Sequence, residues 1–197
     1  FQWAVPLIAD GLCAPAAASV DPQGHIAVVG AIDGEAVFDT VSGTVNYASS
    51  TSDSFVLRLT PEGLIEWIGF IASAVVRGVA ADSQGNLIAG GRFTGTIDFD
   101  MSPEVFALQA PVLAGFIAKY EGAGAFQWVR PVASTGSAVV TALAADLEDG
   151  VVFTGSFSGT ADFDPGPGQA LRQSDLGSPY AARFDADGQF LYAAHFN

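Results

Sequence analysis

Two pairs of aspartates offer the first chemistry. Asp98 and Asp100 stand two residues apart, as do Asp162 and Asp164, and the second pair runs into Pro165-Gly166-Pro167-Gly168. On a strand, positions i and i+2 face the same side, so each pair presents two carboxylates together. With loop carbonyls they could contribute to a Ca²⁺ site, which takes about six to eight oxygens. The competing reading is that they end a strand and guard its edge by charge. Asp98, Asp100, Asp162 and Asp164 are therefore the calcium candidates, and no other metal is expected. Asp185-Ala186-Asp187-Gly188 starts like a helix-flanked calcium loop but lacks the third acid and the closing Glu, so it reads as a turn. His25 and His195 occupy unrelated positions and read as surface or packing residues. Cys13 is alone, which excludes an intrachain disulfide, a Cys-rich zinc site and a CxxC redox pair. No Gly-x-Ser-x-Gly elbow, His-Glu-x-x-His helix or phosphate loop occurs. No catalytic or cofactor-binding residue is assigned.

The elements that would position these residues come from internal repetition. Phe1-Gln2-Trp3 recurs as Ile65-Glu66-Trp67, Phe126-Gln127-Trp128 and Phe190-Leu191-Tyr192, spaced 64, 61 and 64 residues apart. Asp21, Asp82 and Asp146 open a turn in each unit. Gly30, Gly91 and Gly155 follow, then Gly34, Gly95 and Gly159, then Phe38-Asp39, Phe99-Asp100 and Phe163-Asp164. Phe55, Phe116 and Tyr180 each precede a basic residue by three: Arg58, Lys119 and Arg183. The length variation sits just after the Trp column. The repeats run over about 1–64, 65–125 and 126–189, with 190–197 as the closing strand of the third unit.

The texture is β throughout: short apolar runs bounded by Gly, Asp or Pro, with no window of helical spacing. Four strands per unit fit best, lettered A to D. In the second unit they are Val75–Ala81, Asn86–Phe99, Gly115–Tyr120 and Ala125–Val132. Tight turns A–B and C–D carry Gly, which supplies positive φ. Several strands are apolar on successive residues, so both faces are expected to be covered. With no helices available, neighbouring sheets must cover them. The fold class is all-β: a β-propeller-like stack of three four-stranded antiparallel blades plus one extra N-terminal strand, with a β-prism or β-trefoil as alternative.

At these columns the chain resembles the bacterial seven-bladed β-propeller (SBBP-type) repeat family. The second unit is similar to that family's pattern at Asp82-Ser83-Gln84-Gly85-Asn86, at Gly91-Arg92-Phe93-Thr94-Gly95-Thr96-Ile97-Asp98-Phe99-Asp100, at Phe116-Ile117-Ala118-Lys119, and at Gly124 and Trp128. The third unit keeps Gly155 to Gly166; the first departs, with Glu35 in place of Thr and Val37 in place of the first Asp. The resemblance spans essentially the whole chain. It implies a partial propeller over 1–197 in a secreted or cell-surface bacterial protein, and it implies little about activity. The Trp column, Trp3, Trp67 and Trp128 with Tyr192 in the fourth place, is expected to anchor unit to unit. Arg58, Lys119 and Arg183 are expected to pair with acidic neighbours.

Charge narrows the partners. Seven basic against 21 acidic residues give a net charge of −14, a field that repels phosphate backbones and anionic lipid. No apolar run reaches the ~18 residues of a spanning helix, so neither nucleic acid nor membrane insertion is expected. The chain opens without Met and without a visible signal peptide, and so reads as an excerpt or a processed product. The functional expectation is a non-catalytic binding or scaffolding module that pairs with other blades, or with a second copy completing a ring, and takes a protein or carbohydrate ligand. The alternatives are a fragment of a propeller enzyme (lyase, hydrolase or quinone-type dehydrogenase) and a calcium-dependent carbohydrate-binding module.

Overall fold

The computed structural model describes residues 6, 7 and 9–196. Twelve strands and no helix are present among them, arranged as three consecutive four-stranded antiparallel meanders. The first comprises β1 (Cys13–Val20), β2 (Ile26–Thr40), β3 (Gly43–Leu59) and β4 (Ile65–Ile71). The second comprises β5 (Val75–Ala81), β6 (Leu87–Asp98), β7 (Ala107–Tyr120) and β8 (Phe126–Ser134). The third comprises β9 (Ser137–Ala145), β10 (Val151–Asp162), β11 (Leu171–Phe184) and β12 (Phe190–His195). The inner strands lie in sequence, β1 against β5 and β5 against β9. This is a β-propeller-like arrangement.

Each B-type strand bends once. Register slips between Ile32 and Gly34, Phe93 and Gly95, and Phe157 and Gly159, and those three glycines hold φ of 78°, 76° and 77°, the left-handed region open to Gly at no steric cost. The bulge lets the outer half of the strand turn away and find new partners. Beyond it, Ile97 and Asp98 pair with Leu108 and Ala107. Strand C of the second unit therefore starts at Ala107, eight residues before the sequence places it. The outer half also receives the end of the preceding D strand: Ala133 and Ser134 pair with Asp162 and Ala161. Ala9 bridges Ala36 at the matching columns of the first unit.

The apolar runs bury both faces, as their lack of alternation requires. Along β6, Leu87 and Ala89 pack toward the first sheet while Ile88 between them packs toward the third. Val29, Val56 and Ile71 close the first interface against Phe93, Phe116 and Tyr120. Ile88, Ile117 and Val132 close the second against Phe153, Phe157 and Phe184. A ring triad recurs within the sheets: Phe93, Phe99 and Phe116, then Phe157, Phe163 and Tyr180, each with a close pair at 4.7 Å between centroids. Burying one such side chain contributes on the order of 1.5–3 kcal/mol.

Candidate functional site

The ionisable columns meet at the seams between sheets. Each A–B turn opens with an Asp whose Oδ1 accepts two backbone N–H groups, at i+2 and i+4: Asp21 from Gln23 (2.9 Å) and His25 (2.8 Å), Asp82 from Gln84 (3.0 Å) and Asn86 (2.8 Å), Asp146 from Glu148 (2.8 Å) and Gly150 (3.0 Å). This local closure is why an Asp stands there. Oδ2 is left to take the basic residue of strand C. Arg58 Nη2 lies 2.9 Å from Asp21, Lys119 Nζ 2.9 Å from Asp82, and Arg183 Nε 2.7 Å from Asp146. Asp82 and Lys119 are 1% and 3% exposed, a buried ion pair. Burial raises the Asp21 and Asp146 carboxyl pKa values, but the turn amides and the guanidinium groups, with His25 beside Asp21, outweigh it and leave both below the ordinary carboxylate value.

The basic residue also reaches the next sheet, and the Trp nine positions later joins it. Gly122 O accepts Arg58 Nη1 (2.6 Å) and Trp67 Nε1 (2.8 Å). Ala186 O accepts Lys119 Nζ (3.3 Å) and Trp128 Nε1 (3.1 Å). Both carbonyls belong to the second residue of a four-residue C–D turn, Glu121–Gly124 or Asp185–Gly188. The fourth residue, Gly124 or Gly188, has φ of 90° or 74° and lies under the indole, where a Cβ would come within 3.0 Å of the ring. At the second seam Arg130 adds a cation–π contact 5.5 Å from the Trp128 centroid and donates to Gly188 O and Asp187 O. A cation, an indole and a turn carbonyl thus form a clasp that recurs at both seams.

One turn departs from the glycine expectation. In the third A–B turn the left-handed position is held by Asp149 (φ 61°) rather than by Gly150. Its carboxylate accepts the N–H and hydroxyl of Ser83 in the second sheet (2.8 and 3.0 Å). Asp tolerates this region better than most residues, and here its side chain repays the strain with a cross-sheet contact.

The four calcium candidates lie where the B–C loops leave the sheet, and their Oδ1 atoms shape those loops. Asp98 accepts Asp100 N (3.1 Å) and Phe106 N (2.8 Å); Asp162 accepts Asp164 N (3.1 Å) and Ala170 N (2.9 Å). Asp100 and Asp164 cap Ser102 N and Gly166 N. No group of three or more His, Cys, Asp or Glu side chains poised for a metal occurs among the described residues. In the first unit the B–C loop is replaced by a hairpin, β2 and β3 pairing out to Thr40 and Gly43. At the base of that hairpin extension, buried Asp53 accepts Tyr47 Oη, Thr51 Oγ1 and the N–H of Ser73. Burial and the hydrogen bond to Asp53 push the Tyr47 hydroxyl up to about 12.

Of the anchor column, Trp67 and Trp128 sit in clasps, Tyr192 stands on β12 at 49% exposure, and Trp3 lies outside the described residues. His25 Nδ1 lies 3.0 Å from Asp21 and its Nε2 3.7 Å from Glu66. His195 meets the Phe157 ring edge-on at 5.8 Å. The acceptors at Gly122 and Ala186 escape a reading of side chains, because a backbone carbonyl leaves no mark on residue type. The available signal is the fixed nine-residue step from the basic column to the Trp column.

No family model matches the chain. Over 154 residues, 71% of this chain, it is 27% identical to an uncharacterized WD repeat-containing protein of Acanthamoeba polyphaga mimivirus. The chain spans 11% of that relative's length. The likeness supports a β-propeller-type repeat, in agreement with the all-β meanders.

Proposed function

We propose that the chain is a non-catalytic binding or scaffolding module of the β-propeller type: three repeats, over about 1–64, 65–125 and 126–189, with 190–197 as the closing strand of the third blade, of a larger ring in a secreted or cell-surface bacterial protein. One observation supports this most strongly. The recurring ionisable and aromatic side chains, which in an enzyme would be first suspects for chemistry, are engaged in turn closure and in clasping sheet to sheet. Loops on the B–C side are left free to vary, and binding concentrates on such loops when a rigid scaffold carries them. Exposed apolar residues lie in or beside these loops, Val105 at 74% and Phe106 and Leu171 near half. A protein or carbohydrate ligand contacting these loops fits the acidic, phosphate-repelling surface.

The test is a binding screen of the intact chain against protein and glycan arrays, followed by Val105→Ser and Phe106→Ser. Saturable binding weakened at least about tenfold by the loop variants, roughly 1.4 kcal/mol, supports the module. Lyase, hydrolase or oxidoreductase turnover by the purified chain would refute it.

A further inference from the structure

We infer that the first seam carries, beside Trp67, a slot for an arginine side chain of a partner protein. The inference rests on the module reading above and names the chemistry that the partner must bring. The two seams match column by column: Arg58 faces Trp67 as Lys119 faces Trp128, which sets Gly69 in the column of Arg130. Both residues stand two places after the Trp and so on its side of the strand. At the second seam the Arg130 guanidinium fills the place next to the indole. It lies 5.5 Å from the ring centroid and donates to Asp187 O and Gly188 O, each at 3.1 Å. Trp128 and Gly188 are buried there.

At the first seam Gly69 has no side chain to send to that place. Trp67 and Gly124 are correspondingly only partly buried, and a cleft of about 190 Å³ lies among Trp67, Gly69, Met101, Ala123 and Gly124. Ala123 O and Gly124 O are the counterparts of the two carbonyls that Arg130 holds. Neither accepts a hydrogen bond among the described residues, because the clasp itself uses Gly122 O. A Cβ built on Gly69 would collide with Met101 Sδ. The column is therefore closed to a longer side chain of its own, and a guanidinium reaching the two carbonyls must come from another molecule.

Charge favours such a guest. Glu66 stands in the column of the neutral Gln127, so Arg58 meets two carboxylates, Asp21 at 2.9 Å and Glu66 at 3.2 Å. Lys119 meets one, Asp82, and the second seam still accommodates Arg130 nearby. The first seam thus opposes an added cation less, and the net charge of −14 draws cations in. Two neighbouring carbonyls beside an aromatic ring suit the planar fork of a guanidinium, which can donate twice while lying against the ring; an ammonium is a point charge. A protein is the fitting bearer. Met101 belongs to the B–C loop that also carries exposed Val105 and Phe106, so a chain seated in the slot continues onto apolar surface.

The experiment titrates the intact chain, followed by NMR at the Trp67 indole and the Gly124 amide, with a blocked Gly-Arg-Gly peptide and its citrulline and lysine counterparts. The arginine peptide is expected to saturate one site and to bind at least about tenfold more tightly than the citrulline peptide. No binding, or equal binding of the citrulline or lysine peptide, overturns the assignment. Methylguanidinium binding more tightly than the peptide would give the slot to a small molecule and overturn the protein partner. Gly69→Arg with Met101→Ala rebuilds the second seam's arrangement and is expected to abolish binding; undiminished binding by the folded double variant overturns the location. Arg130→Ala decides independently of how that variant folds. It opens the same place at the second seam, so two sites in place of one support the slot and an unchanged single site overturns it. Array binding that persists without arginine binding would overturn the slot and leave the module reading standing, whereas turnover would overturn the module reading and leave the peptide titration unaffected.

Discussion

Lys119 illustrates what one side chain decides. Its ammonium, nearly inaccessible, meets Asp82 at 2.9 Å and the carbonyls of Asp149 and Ala186 across the seam. Removing one partner of a buried pair strands the other charge, which costs about 3–5 kcal/mol. Lys119→Met is therefore expected to lower stability by that order in urea unfolding. Lys119→Met with Asp82→Asn should cost clearly less than the two single changes summed, because the double variant, unlike either single one, leaves no unmatched charge of the pair; simple additivity would contradict the buried-pair account. Asp162 supplies the contrasting case. An Asn there keeps an acceptor for Asp164 N and Ala170 N, whereas Ala removes both. Asp162→Ala should cost about 1–2 kcal/mol and Asp162→Asn far less. Running both with and without Ca²⁺ separates loop capping from metal binding: a calcium-dependent rise in midpoint that Asn abolishes would mark a metal site.

At the scale of elements, a C–D turn is shaped by its own hydrogen bonds but placed by its neighbour's indole. Gly124 answers two demands at once, a φ of 90° and a ring 3.0 Å from any added Cβ. Gly124→Ala is expected to destabilise by about 1–3 kcal/mol and to shift Trp67 fluorescence, since the indole must move. Gly95, which has the same kind of φ but nothing within 4 Å of an added Cβ, should show backbone strain alone and leave the Trp signal unchanged. An equal fluorescence response at both sites would dissociate the indole from the turn.

The whole molecule carries a net charge of −14, yet several of its acids are held in specific bonds. Asp21 and Asp146 have lowered pKa values for the reasons given above. At Asp53 burial pulls the other way, and the Tyr47 hydroxyl and the Ser73 amide overcome it. A carboxylate depressed on folding contributes stability above its unfolded pKa, near 4 for Asp, and loses it as pH falls through the folded value. The thermal midpoint should accordingly stay level from neutral pH to about 5 and fall below about 4. Asp146→Asn should flatten that fall; an unaltered acid limb would show that this carboxylate is not linked to folding. Between sheets, Ile117→Ala opens a cavity at a seam and should cost about 2–5 kcal/mol in one cooperative transition, because both faces of the middle sheet are load-sharing interfaces.

The sequence by itself determined the strands, their order and the repeating columns. Short apolar runs, turn glycines and the 61- and 64-residue spacings are local or periodic properties, visible in residue types. It also paired the basic column with acidic residues, because charge is written in side chains. Strand C's early start and the hairpin over Thr40–Gly43 were not legible: each depends on which backbone groups lie opposite once the glycine bulge has turned the strand. The carbonyls of Gly122 and Ala186 and the left-handed Asp149 belong to the same class. Only tertiary structure could bring a cation, an indole and a backbone oxygen from two sheets to one point, because a carbonyl is common to every residue and acquires a role solely from where the chain places it.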